Sequence, residues 1–73
     1  MKTILELQEE LERVMPEYFF IDIVGYNPSE GGNLFIKEYY PMPYSEYIHR
    51  KFSIQTLPEA LETAIAWFKN LKP

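Results

Sequence analysis

The sequence predicts an α+β fold: a two-layer sandwich in the order α-β-β-β-α, with a three-stranded antiparallel meander and both helices on one face. Three observations carry this. Two terminal segments place apolar residues at helical spacing behind a T-x-x-E cap. Three intervening segments are rich in aromatic and β-branched residues that alternate with polar ones. The connections between those strands are short, which joins neighbours antiparallel. An amphipathic helix at each end of such a sheet then needs one sheet face to cover.

The first helix is expected over Thr3 to Met15. Thr3 and Glu6 form a capping box, Ile4, Leu7, Leu11 and Val14 make one apolar stripe, and Glu6, Glu9, Glu10 and Arg13 fall largely on the other side. Pro16 ends the helix, because the residue before proline avoids the helical region. Tyr18 to Tyr26 reads as the first strand, and residues 27–33, Asn-Pro-Ser-Glu-Gly-Gly-Asn, as a turn. Leu34 to Tyr40 reads as the second strand. Pro41-Met42-Pro43 removes two ladder donors and forces a loop before a third strand, Glu46 to Gln55. Thr56 and Glu59 repeat the capping box. Leu57, Leu61, Ala64, Ile65, Phe68 and Leu71 are the expected buried stripe of the second helix, with Lys69 and Lys72 favouring the dipole of its last turn.

Strict alternation assigns the faces. Phe19, Ile21 and Ile23, then Leu34, Ile36 and Glu38, then Ile48, Phe52 and Ile54 are expected beneath the helices, with Arg50 among them. The other face is left open. It is expected to carry Phe20, Val24, Tyr26, Phe35, Tyr39 and Tyr47, with Asp22, Lys37, His49 and Lys51 interspersed. Six Tyr, five Phe and one Trp are more aromatics than the core of a 73-residue chain can hide. The expected partner-binding residues are therefore Phe20, Val24, Tyr26, Phe35, Lys37, Tyr39, Tyr47, His49 and Lys51.

Composition removes several classes of function. The chain has no cysteine, which excludes disulfide frameworks, thiolate metal sites and thiol nucleophiles, and favours a reducing, cytoplasmic compartment. No apolar run approaches the ~20 residues of a membrane span, and an acidic residue at position 6 interrupts any signal-peptide core. The net charge of −4 opposes general affinity for nucleic acid or anionic lipid. His49 is the single histidine, with no nucleophile or carboxylate at a spacing that demands catalysis, and no cluster has metal-ligand spacing. Gly31-Gly32 is followed by neither Lys-Ser/Thr nor a helix, so it reads as a turn rather than a phosphate loop. No catalytic, cofactor or metal residues are assigned.

Residues 53–65, Ser-Ile-Gln-Thr-Leu-Pro-Glu-Ala-Leu-Glu-Thr-Ala-Ile, carry a resemblance. A strand, a capped T-L-P-E-A start and an alanine-bearing helix resemble the close of the small phage and prophage α-β-β-β-α domains of the phage ABA sandwich type. The same stretch is similar to the T-L-x-E-A-L segment of HicB-type antitoxins, from which the leading helix departs. The element order also resembles a double-stranded-RNA-binding domain. That family grips phosphates with a lysine cluster at the start of its second helix, where this chain has Leu57-Pro58-Glu59-Ala60-Leu61-Glu62.

The expected function is a non-enzymatic protein-interaction module, in the form of a phage or mobile-element protein that binds or inhibits a host protein, or of a homodimer. The alternative is single-stranded nucleic-acid binding, with bases stacked on the open-face aromatics.

Overall fold

A computed structural model describes residues 2–71. Helix α1 spans Ile4–Val14 and is closed by the full capping box: Thr3 Oγ1 accepts the Glu6 N–H at 3.1 Å, and the Glu6 carboxylate accepts the Thr3 N–H at 2.9 Å. The bonds from Thr3, its backbone N–H first, hold the Glu6 carboxyl below its ordinary pKa. Strands β1 (Phe19–Asn27), β2 (Gly31–Pro41) and β3 (Tyr44–Ile54) form one antiparallel sheet in the order β1-β2-β3, and helix α2 spans Leu57–Lys69. The order is α-β-β-β-α, as the sequence predicts.

The core lies between the sheet and the helix pair. Leu34 and Ile36 of β2 and Ile54 of β3 are almost wholly buried beneath Leu7 and Leu11 of α1 and Ala60, Leu61, Ala64, Ile65 and Phe68 of α2. Both helices therefore cover the same sheet face. The hydrophobic spacing of each helix produces this directly, since i, i+3 and i+4 positions share one stripe.

Three local expectations are corrected. The second capping box is not reciprocal: Thr56 Oγ1 accepts the Glu59 N–H at 3.2 Å, but the Glu59 carboxylate takes the Gln55 N–H at 2.6 Å rather than that of Thr56. Leu71 lies beyond the Asn70 cap and is exposed instead of extending the buried stripe, and Ile4 is exposed at the start of α1. The expected Lys72 contribution lies outside the described residues. The strands are also longer than their turn-like composition suggests. The 27–33 turn contracts to residues 28–30, with Asn27 Oδ1 accepting the Ser29 N–H at 2.8 Å, and the second turn is Met42-Pro43 with a cis peptide.

Two bulges decide which side chains reach which face. In β3, Ile36 stands opposite Arg50 and Lys37 opposite Ile48, so His49 is one extra residue. In β1, the pairing of Val24 with Asn33 resumes only at Asn27 with Gly31, and Gly25 between them takes a φ of +68°. An extra residue sends every side chain beyond it to the opposite face. Tyr26, Tyr47 and His49, expected on the open face, consequently lie on the helix-covered side. Tyr26 packs against the core, while Tyr47 shares a row with Glu38 and Phe19. Ile48, expected in the core, emerges on the open face.

The uncovered sheet face as candidate functional site

Cross-strand pairing arranges the open face in rows. One row is Phe20–Lys37–Ile48, the next Asp22–Phe35–Lys51, the next Val24–Asn33–Ser53. Tyr39 and Glu46 form a row at the other end. Of the nine residues expected to bind a partner, Phe20, Val24, Phe35, Lys37, Tyr39 and Lys51 are gathered here, and Tyr26, Tyr47 and His49 are not. Ile48, at 52% exposure, joins them through the bulge.

Lys37 is the hub of this face. Its Nζ donates to Asp22 Oδ2 at 3.0 Å, lies 3.8 Å from Glu46 Oε1, and sits 5.8 and 5.6 Å from the ring centres of Phe20 and Phe35. Its side chain is only 15% exposed, so the aliphatic stem screens the rings while the charge stays paired. Lys51 Nζ sits 5.8 Å from the same Phe35 centre, and among the described residues no carboxylate lies within ion-pairing distance of it. Phe35 thus has two ammonium groups near its ring.

Pairing with β1 ends at Glu38, and β2 and β3 continue past it as a two-stranded arm. The arm carries Tyr40, Met42 at 91% exposure and Tyr44 at 66%. Tyr39 braces its base, edge-on to Tyr18 at 5.4 Å and 6.1 Å from Phe20. The Glu38 charge raises the pKa of Tyr40, and hydrogen bonding to Glu46 raises that of Tyr44. Tyr40, Met42 and Tyr44 belong to an aromatic, proline-flanked segment that reads first as a strand connection whose prolines block edge pairing and only second as a partner-binding segment.

The helix-side cluster is built for packing. His49 stacks on Phe19 at 5.0 Å, meets Tyr47 at 4.7 Å and Trp67 at 5.7 Å, and places Nε2 3.0 Å from Glu38 Oε1. Tyr40 donates to the same carboxylate oxygen at 3.3 Å. Among the described residues, the imidazole's hydrogen-bond partner is the Glu38 carboxylate and not a serine or other nucleophile. Two shallow grooves, about 340 and 490 Å³, lie along the helices, lined mainly by apolar stems and glutamates such as Glu59 and Glu62, or Glu9 and Glu12. Neither adjoins the open face, and the residue chemistry is richer on that face than in either groove. Among the described residues, no group of three or more His, Asp or Glu is gathered as a metal would require, and no helix is long and apolar enough to cross a membrane.

Comparison with protein-family models, curated proteins and solved structures finds no match to this chain.

Proposed function

We propose that the chain is a non-enzymatic protein-interaction module whose working surface is the uncovered sheet face, continued onto the hairpin arm. One observation carries the reading: Phe20, Phe35, Tyr39 and Ile48 gather around the Lys37 side chain on a face that neither helix covers. Contiguous apolar patches on small proteins generally mark contact sites. Bound protein would remove these side chains from water, and the paired charges around Lys37 would orient the partner more than strengthen the contact. An inhibitor carried by a mobile element is the form of this role that the resemblance of residues 53–65 favours. Affinity capture with the unmodified chain and with Phe35→Glu tests it. The expected result is a stoichiometric partner, a second copy included, retained by the first and lost by the second. Equal retention by both, or no partner for either, contradicts the reading.

Lys51 beside Phe35 is the observation that favours a second reading, single-stranded nucleic acid with a base stacked on the ring and a phosphate on the ammonium. Asp22 and Glu46 on the same face oppose it. Fluorescence anisotropy with labelled oligonucleotides separates the two: binding at low salt that falls steeply as salt rises supports nucleic acid, and no binding at high micromolar protein removes that reading.

A further inference from the structure

We infer that the partner of the open face is a second copy of the same chain, related by a two-fold axis running along β2 between two facing sheets. The inference rests on the reading of this face as an interaction surface and names its occupant.

A two-fold contact uses one patch twice, so the patch must complement itself. An axis along the middle strand lays β1 of one copy over β3 of the other and keeps each row facing its own equivalent. The row Asp22–Phe35–Lys51 reads anion, aromatic, cation across the sheet. Turned over, it sets Asp22 against Lys51 of the second copy, Lys51 against Asp22 of the second copy, and Phe35 on Phe35. The adjacent row sets Phe20 on Ile48 and Ile48 on Phe20. Lys37 meets its equivalent on the axis, but each ammonium already has Asp22 at 3.0 Å and Glu46 at 3.8 Å. Lys51, which has no carboxylate partner among the described residues, acquires one.

Size agrees with this arrangement. Strands of nine, eleven and eleven residues, at ~3.3 Å per residue and ~4.8 Å between strands, make a face about 35 by 15 Å. Its flat area of ~500 Å², raised by side-chain relief, approaches the ~800 Å² per partner of a standard interface. The whole face is therefore needed to reach that size. Pairing through the sheet edges is disfavoured, because the His49 bulge interrupts the free edge of β3 and the Gly25 bulge that of β1.

The test is charge exchange read by sedimentation at ~100 μM, a concentration that exposes even a weak dimer. The unmodified chain should sediment as a dimer. Asp22→Lys and Lys51→Glu should each dissociate at least about tenfold more readily, because each puts like charges into both copies of the row. An equimolar mixture of the two should recover the dimer, since both rows are then opposite in sign. Phe35→Glu and Phe35→Lys form a second pair that is monomeric apart and dimeric when mixed, and circular dichroism confirms that each variant is folded. A monomeric unmodified chain, or a mixture that fails to restore the dimer for both pairs, overturns the inference. If a monomeric chain still captures another protein that Phe35→Glu loses, self-association fails and the interaction reading stands. If it captures nothing, both fail.

Discussion

Lys37 Nζ lies 3.0 Å from Asp22 Oδ2 and also over the rings of Phe20 and Phe35, so one side chain both pairs a charge and shields two aromatics. The two roles carry similar weight. Ion pairs near the surface contribute ~0–1 kcal/mol, and the cation–π contacts and stem packing add a similar amount again. Lys37→Ala should therefore lower unfolding stability by about 1–2 kcal/mol, and Asp22→Asn by less than about 1 kcal/mol. Chemical denaturation of both variants checks the order; equal losses would reduce Lys37 to its charge alone.

His49 is the extra residue of the β3 bulge, and its ring fills the space among Phe19, Tyr47 and Trp67. Aromatic contacts contribute ~0.5–1.5 kcal/mol each beyond area. His49→Ala should cost about 1–2 kcal/mol, and Trp67 fluorescence should shift as its ring loses a neighbour. An unchanged midpoint and spectrum would show that the cluster holds together without the imidazole.

The two glycines of positive φ should respond differently to a methyl group. At Gly31, φ +78°, an added Cβ would lie 2.1 Å from the Ile54 carbonyl oxygen; at Gly25, φ +68°, nothing lies within 4 Å. Gly25→Ala should cost only the left-handed backbone penalty, ~1 kcal/mol. Gly31→Ala adds a backbone clash where β2 meets the end of β3 and should cost roughly 3 kcal/mol or more. Thermal melts of both variants test the order.

Glu10 ties the start of the chain and the end of α2 to α1, pairing with Lys2 and, at 2.7 Å, with Lys69. The hydrogen bonds from Lys2 and then Lys69 bring its carboxyl from the ordinary 4.5 down to about 2. A carboxyl depressed in the folded state stabilises above its unfolded pKa and loses that contribution as pH falls through the folded value. Glu10→Gln should thus lower the melting temperature at pH 7, by an amount that shrinks between pH 4.5 and about 2 and is also reduced by salt. A deficit that is constant with pH would point to packing instead.

Element order and both helix starts could be read from residues alone, because caps and apolar spacing are local signals. Face assignment could not, because one extra residue inverts it. Gly25 inside a strand is the sign of a bulge that the sequence holds, while Arg50 keeps its expected face, opposite Ile36. Gly25 does not fix where the extra residue falls. Pairing across β2 decides that, and it removed Tyr26, Tyr47 and His49 from the candidate face and added Ile48. The Glu59 bond to Gln55 was likewise invisible, since the carboxylate can reach either neighbouring N–H and only the chain path chooses.

The most direct test of the open face as a two-fold interface is an isotope-filtered NMR experiment on a mixed sample of labelled and unlabelled chain. Within one copy, Phe20 and Ile48 lie on the two outer strands with Lys37 between them, about 10 Å apart at ~4.8 Å per strand, too far for a proton–proton cross-peak. Across the proposed axis they touch. Intermolecular cross-peaks between the Phe20 ring and the Ile48 methyl groups, with Phe35 ring to Phe35 ring peaks beside them, are the predicted result. Filtered spectra at ~100 μM that show no intermolecular peaks from these residues, or show them only from the backbone edge of β3, would contradict it.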